Sequence, residues 1–294
     1  MTARNEGLNI DGARSRVRAA LAEDGVDRDA TIRLLAIGDN SVDAIVVAGE
    51  SVVVAGTEVA ALAFHEVDPR IEWDAHVGDS GVAGPGASIA CVRGPAASVL
   101  RAERVALNLL QRASGVATLA SRFVAAVEGT GVTILDTRKT TPLWRDLQKY
   151  AVRCGGASNH RTDLSSMVLV KENHVRVLGG VTELFARLRA RPAGAELVEV
   201  EVDSPAMLAA FVESGVRVDR LMLDNFAPSQ VHDALGLLAD MREQPGGGRL
   251  EIEVSGGIAI DTVRAYALDG VDFISVGALT HSAPAASISL EVRG

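Results

Sequence analysis

After Gly129-Thr130-Gly131 the chain settles into a rhythm that few folds can satisfy: a short apolar run, a polar stretch, then a helical stretch. The runs are Val132–Leu135, Met167–Val170, Leu197–Val202, Arg220–Leu223, Leu250–Val254 and Phe273–Val276. Helical periodicity lies between them at Leu147–Val152, Thr182–Arg189, Ser204–Ser214, Ser229–Met241 and Ile260–Leu268. This alternation predicts parallel strands with right-handed crossovers, because a parallel neighbour is reached only by a connection that crosses back over the sheet. Six units can close a barrel or lie as an open sheet. The barrel is favoured, because the runs lead into Asp136-Thr137-Arg138-Lys139, Lys171-Glu172-Asn173-His174, Glu201, Asp224-Asn225, Ser255-Gly256-Gly257 and Gly277-Ala278. In parallel α/β barrels the loops after the strands build the active site. Structural charge has no reason to follow strand ends in this way.

Residues 1 to about 112 lack the repeat. A helix is expected near Arg14–Glu23, then β-prone runs at Asp43–Val47, Ser51–Ala55 and around Ile89–Val92, with turns at Gly78-Asp79-Ser80-Gly81 and Gly84-Pro85-Gly86. Leu100, Val105, Leu107, Leu110, Ala113 and Val116 then recur at helical spacing. Aromatic residues make up only 3% of the chain against 48% hydrophobic, so Ala, Val and Leu must fill the core. With 29 glycines, that usage suits a tightly packed α/β architecture better than an all-β sandwich. The segment beginning at Met1 has no apolar stretch of the kind that directs export, and Val42–Phe64 is interrupted by Asp43, Glu50 and Glu58. Cys91 and Cys154 are too few for a disulfide scaffold and lack metal-site spacing, so a reducing cytoplasm is the expected location.

Charge is distributed unevenly. The whole chain carries −9, yet Asp136 to Arg176 contains eight Lys/Arg and four Asp/Glu and is therefore +4. The overall balance argues against non-specific nucleic-acid binding or attraction to anionic membranes. The local excess points to a small, multiply charged anion. Arg138 and Arg161 can each grip a carboxylate or phosphate through two parallel hydrogen bonds, Lys139 and Lys171 act as point charges, and His160 can donate or carry charge near neutrality. Taken singly, any of these is as easily a solvated surface charge. Their clustering at strand ends favours a site.

Glu201 and Asp224 supply the opposite sign on apolar runs, where an unpaired carboxylate is costly to bury. They suit Mg²⁺ or a developing cation, and an ion pair with one of the lysines is compatible with either role. Glu199 shares a strand face with Glu201, which ranks higher because it is nearer the strand end. Ser255-Gly256-Gly257 ahead of a helical stretch can cradle a phosphate on backbone N–H groups, and Gly277-Ala278 before Thr280-His281 offers a second, weaker cradle.

At these residues the chain resembles the quinolinate phosphoribosyltransferases, also called nicotinate-nucleotide pyrophosphorylases (carboxylating). The stretches that carry the resemblance are ERVALNLLQRASGVAT (103–118), ILDTRKTTP (134–142), KYAVRCGGASNHR (149–161), VLVKENH (168–174), VEVEVD (198–203), LMLDN (221–225), EVSGGI (253–258) and VDFISVGALTHSA (271–283), in the family's order and approximate spacing. The resemblance implies a type II phosphoribosyltransferase fold: an N-terminal α/β sandwich (1–112, joined by the tail 279–294) and an α/β barrel (113–278). It implies a homodimer whose sites borrow residues from the neighbour, with quinolinate and 5-phosphoribosyl-1-pyrophosphate as substrates and Mg²⁺ as cofactor. The products would be nicotinate mononucleotide, pyrophosphate and CO₂. By the same resemblance Arg104 (from the partner), Arg138, His160, Arg161 and Lys171 match the quinolinate site, and Lys139 lies near both quinolinate and pyrophosphate. Glu201 and Asp224 match the carboxylates around the ribose and Mg²⁺. Ser255, Gly256, Gly257, Gly277 and His281 match phosphate-binding positions. Lys139, Lys171, Glu201 and Asp224 are the expected catalytic set.

Three departures stand out. The family's EDxGxGD stretch reads Glu23-Asp24-Gly25-Val26-Asp27-Arg28-Asp29, with Val26 and Arg28 at the glycine positions. Leu143-Trp144 follow Thr141-Pro142 where the family tends to have Gly, and Glu172 stands where Asp is common. Rival readings are a related phosphoribosyltransferase on another pyridine or pyrimidine carboxylate, a barrel lyase with Lys139 or Lys171 as Schiff base, and a non-catalytic metabolite-binding protein.

Overall fold

The structure is a computed structural model describing residues 7–191, 196–242 and 249–293. Residues 1–6, the start of the segment read as carrying no export signal, lie outside the described residues. The first elements are α1 (Ile10–Asp24), α2 (Ala30–Leu35), β1 (Ser41–Ala48), β2 (Val52–Val53), α3 (Thr57–Val67), β3 (Glu72–Ala75), β4 (Val82–Ala83), β5 (Ser88–Pro95) and α4 (Ala96–Ala126). Then follow β6 (Thr133–Leu135), α5 (Arg145–Cys154), β7 (Val168–Val170), α6 (Glu172–Leu178), α7 (Val181–Arg189), β8 (Val198–Val202), α8 (Pro205–Ser214), β9 (Arg220–Asp224), α9 (Pro228–Arg242), β10 (Glu251–Ser255), α10 (Val263–Tyr266), β11 (Phe273–Ser275), α11 (Ala278–His281) and β12 (Ile288–Val292). They fall into two compact units: residues 1–122, 139–157 and 279–294, and residues 123–138 and 158–278.

In the first unit an antiparallel sheet runs in the order β12-β1-β5-β3. Ala44, Val46 and Ala48 of β1 alternate inward at the strand period and are fully buried. The last strand, β12, pairs with β1 in the register Ala44↔Val292 to Ala48↔Ile288. Helix α1 buries Ala13, Val17 and Leu21, four residues apart along one stripe. Helix α3 was not expected from the sequence. Its N-terminus is held by Asp79, which accepts from the backbone N–H of Gly56 (2.9 Å) and Thr57 (3.0 Å) and from the Thr57 hydroxyl (2.7 Å). The Tyr150 hydroxyl donates to the same carboxylate at 2.8 Å. The segment read as a plain turn thus supplies a helix cap. The expected run Ser51–Ala55 shrinks to a two-residue strand.

At the departure from EDxGxGD, Gly25 closes α1 in the left-handed conformation (φ 72°), Val26–Arg28 form one 3₁₀ turn, and Asp29 caps α2 by accepting from Thr31 and Ile32 N–H. The chain keeps the glycine where positive φ is needed and the acid where a cap is needed.

In the second unit six parallel strands follow the order β6-β11-β10-β9-β8-β7. From β7 to β11 this is chain order, with β6 returning beside β11, as an α/β barrel requires. The β6 edge is extended by Ser158, which accepts from Asp136 N–H (3.1 Å) and donates its own N–H to Ile134 (2.9 Å). Ile134, Val200, Leu221, Leu223, Ile252, Val254 and Ile274 are buried on the apolar strand face. The crossover helices bury Leu184, Phe185, Leu208, Phe211, Val231 and Leu238. One helix expectation needs correction: Ile260–Leu268 forms helix only at Val263–Tyr266. Among the described residues no helix is long and apolar enough to cross a membrane.

Candidate active site

The second face of the parallel sheet is polar, which its pairing explains. Glu199, Arg220 and Glu251 stand side by side across β8, β9 and β10, and Glu201, Met222 and Glu253 form the next row. Asp224 and Ser255 end the next. A side-chain period of two keeps all of these on one face. The acidic residues of VEVEV and EIEV therefore point away from the apolar face that the valines and isoleucines bury.

The cations sit at the ends of β6 and β7. Asp136, fully buried, accepts from His160 N–H (2.8 Å) and Asn159 Nδ2 (2.6 Å), tying the segment after Ser158 to the β6 end that carries Arg138. Arg161 follows and donates Nη1 to the carbonyl of Met167 at 3.3 Å. Burial, and then the neighbouring Arg138 guanidinium, push the Arg161 pKa down. Two guanidiniums held this close repel each other, and an anion between them relieves that cost. The buried Nε–H of Arg138 has no hydrogen-bond partner among the described residues.

Lys171 caps α6. Its backbone N–H donates to Nδ1 of His174 at 2.9 Å, so His174 fixes the start of the helix. Lys171 Nζ lies 2.6 Å from Glu201 Oε2. The possible lysine partner of Glu201 is thus Lys171, and the pair spans two strand ends. Asp224 is half-buried and accepts from Asn225 Nδ2 at 2.7 Å.

Beside it, Asn225 (φ 60°) donates its N–H to the Ser255 carbonyl at 2.9 Å. Gly256 has φ 91°, and a Cβ there would stand 2.6 Å from Asn225 N, so only glycine fits the approach of these two strand ends. Gly257 also has positive φ and faces open space. The expectation of a helix N-terminus after this turn is not met, because α10 starts only at Val263 and is one turn long. Any anion held here would meet turn N–H groups rather than a helix dipole. Gly277 is half-buried between β11 and α11.

Arg104, Lys139 and His281 belong to the first unit. Arg104 projects from α4 into solvent, 3.8 Å from Glu103. Lys139 is exposed, and its carbonyl accepts from the Thr280 hydroxyl at 2.8 Å. His281 is exposed, with Nδ1 2.6 Å from the Ser282 hydroxyl.

Residues 116–291 match the family described as quinolinate phosphoribosyl transferase, C-terminal domain, and residues 29–114 match the corresponding N-terminal domain. The chain belongs to the quinolinate phosphoribosyltransferase family. It is 38% identical over 289 residues to the nicotinate-nucleotide pyrophosphorylase (carboxylating) of Mycobacterium leprae, covering 96% of this chain and 98% of that one. It is 35% identical over 255 residues to a probable enzyme of that name from Bacillus subtilis, covering 87% and 85% of the two chains. The solved structure of the nicotinate-nucleotide pyrophosphorylase from Francisella tularensis superposes with a TM-score of 0.88 at 33% identity over all of both chains. The fold of this family is the α/β architecture found here, with a parallel barrel-like domain and an N-terminal sheet domain.

Arg220 and Glu253 are not among the site residues expected from the sequence. Both sit inside largely apolar runs, and the signal that marks them is the alternation of acids in EIEV and VEVEV. Period-two charge in a buried strand marks a polar interior face.

Proposed function

We propose that the polar strand ends of the second unit hold quinolinate and the phosphoribosyl donor, and that catalysis is by positioning and electrostatics. As a quinolinate phosphoribosyltransferase the chain is a pentosyltransferase of NAD biosynthesis. It joins quinolinate to 5-phosphoribosyl-1-pyrophosphate with loss of CO₂ and pyrophosphate, giving nicotinate mononucleotide. The observation that carries the site assignment is the group of cations around the ends of β6 and β7: Arg138, whose buried Nε–H has no hydrogen-bond partner among the described residues, Arg161, whose pKa is lowered by burial and then by the Arg138 guanidinium, and Lys171. A dicarboxylate relieves the repulsion between the two guanidiniums.

The pyridine nitrogen attacks the anomeric carbon of the ribose, and the C–O bond to pyrophosphate breaks. Glu201 and Asp224, at neighbouring strand ends, stabilise the positive charge that develops on the ribose. The quaternised ring nitrogen then draws the electrons left when the adjacent carboxylate departs as CO₂, and a proton takes its place on the ring carbon. Lys171 and the guanidiniums favour the carbanion electrostatically. Lys139 serves the side where pyrophosphate leaves. Ser255, Gly256, Gly257, Gly277 and His281 receive phosphate oxygens. No covalent intermediate with a side chain is needed, so the main contribution is holding two anionic substrates in line.

Mg²⁺ fits Glu201 and Asp224, since hard carboxylate oxygens on adjacent strands suit a cation that completes its shell with water and phosphate. When bound it would neutralise the departing pyrophosphate. Arg104, solvent-facing in its own chain, is assigned to the neighbouring site of a homodimer, and the cytoplasm is the assigned location. A substrate comparison tests the reading: quinolinate is consumed and nicotinate is not, whereas consumption of nicotinate alone would favour the related phosphoribosyltransferase.

A further inference from the structure

Beneath the strand ends lies an ionic cluster that the chemistry of the reaction does not itself require. Glu199 and Glu253 are fully buried and the His160 side chain is 5% exposed. Arg220 donates Nη1 to Glu253 Oε2 at 3.1 Å and Nε and Nη2 to Glu251 Oε2 at 3.1 and 2.9 Å. Its guanidinium lies 4.0 Å from the centre of the Phe273 ring, packed rather than solvated. His160 Nε2 stands 3.0 Å from Glu199 Oε2 and 3.5 Å from Glu253 Oε2. On the other side of the ring, Nδ1 accepts the backbone N–H of Arg161 at 2.7 Å.

These contacts determine the tautomer. An imidazole nitrogen that accepts a hydrogen bond carries no proton, so the ring proton is on Nε2, facing Glu199. A carboxylate there favours that arrangement, as a carboxylate behind a histidine does wherever it fixes a tautomer. Glu253 is the second carboxylate near Nε2, and Arg220 orients it. Imidazole and two carboxylates are also a donor set for a divalent metal. Here the Nε2 proton and the Arg220 guanidinium meet one oxygen of each carboxylate, Glu199 Oε2 and Glu253 Oε2. The buried Glu199 Oε1 and Glu253 Oε1 have no hydrogen-bond partner among the described residues, so metal retention is one of the outcomes of the test.

We propose that Glu199 and Glu253 are positioning residues that hold the His160 ring with its proton on Nε2, so that Nδ1 anchors the Arg161 backbone and sets where its guanidinium meets the dicarboxylate. His160 thereby serves the substrate through Arg161 rather than by direct contact. This rests on Arg161 gripping quinolinate, but the ring geometry stands apart from that reading.

The first test needs no activity. Long-range proton–nitrogen spectra of ¹⁵N-histidine protein, with the His160 signals identified by their loss in His160→Asn, should show Nε2 protonated and Nδ1 bare. Adding quinolinate should leave that pattern unchanged. A proton on Nδ1, transfer of the proton on binding, or a stoichiometric metal retained on Nε2 after dialysis would overturn the proposal.

The second test is kinetic. An Asn amide oxygen reproduces the position of Nδ1 and a Gln amide that of Nε2. His160→Asn should therefore keep the quinolinate KM within a few-fold of wild type, while His160→Gln raises it about tenfold or more, the loss expected when a hydrogen bond serving a charged grip goes. Glu199→Gln, which keeps an acceptor for Nε2–H, should resemble wild type, and Glu199→Leu should resemble His160→Gln. The KM for the phosphoribosyl donor should stay within about twofold throughout, since these residues serve Arg161 and not the phosphate positions. Equal losses for both substrates, or a milder Gln than Asn at 160, would contradict the proposal. Should His160→Asn fail to fold, loss of the signals in His160→Gln identifies them instead, and the spectra of the unaltered protein still decide it.

Discussion

Lys171 Nζ and Glu201 Oε2 lie 2.6 Å apart, joining the end of β7 to the end of β8. Glu201 is nearly buried while 46% of the Lys171 side chain stays exposed, so the cation faces outward from a carboxylate it also neutralises. Truncating either one strands the other. A double-mutant cycle with Lys171→Met and Glu201→Gln, read as kcat/KM, should give a coupling of about 1–3 kcal/mol. Losses that simply add, within about 0.5 kcal/mol, would mean the pair is not functional.

Arg104 is exposed on α4, with Glu103 its nearest opposite charge at 3.8 Å. If its work is done in a neighbouring site, Arg104→Ala and Arg138→Ala should each be nearly inactive, yet mixed and re-dimerised chains should regain part of the activity. One site of a mixed dimer then carries both arginines. Confirmed mixed dimers without rescue would count against a shared site.

Leu143 is a residue in the wrong conformation for its type. Trp144 N–H donates to the Thr141 carbonyl at 3.1 Å, closing a turn with Pro142 second and Leu143 third, at φ 67°. That third position favours glycine, and Leu143 is 79% exposed, so its side chain gains little in return. The left-handed conformation costs about 1–2 kcal/mol for a side-chain residue. Glycine returns about 0.4–1 kcal/mol of that as extra chain entropy in the unfolded state. Leu143→Gly should therefore stabilise by about 0.5–1 kcal/mol, seen as a raised denaturant midpoint. A lowered midpoint would show that the Leu143 side chain has a role of its own.

The buried acids predict a pH dependence of stability. Burial pushes the Glu253 carboxyl up from an ordinary 4.5 to about 7; Glu199 adds to the shift, while His160 and Arg220 oppose it. Between those two values the folded chain holds more protons at this group than the unfolded chain does. This contribution to stability is therefore complete below about 4.5 and is lost as pH rises through about 7. Glu253→Gln has no proton to lose and should flatten the fall in urea midpoint between these pH values. An unchanged slope would place the pH dependence elsewhere.

The six strands were legible because burial on the helix-facing side requires an apolar residue at every second position at least, and the loaded residues after the runs mark strand ends. Lys171, Glu201 and Asp224 were legible for the same reason. The charged interior was less so: Arg220, Glu251 and Glu253 look like interruptions in a run until the register sets them beside Glu199 and His160. Helix α3 was missed because its cap, Asp79, lies 22 residues beyond Thr57 in the chain. The helix expected after Gly257 shrank because Ile258–Thr262 turn without extending it.

The measurement closest to the central claim is simultaneous release of CO₂ and pyrophosphate from purified protein given quinolinate, 5-phosphoribosyl-1-pyrophosphate and Mg²⁺. The account predicts equimolar release of both, with nicotinate mononucleotide formed in the same amount and neither product appearing when either substrate is omitted. Tight binding of quinolinate with no release, or pyrophosphate release without CO₂, would contradict it.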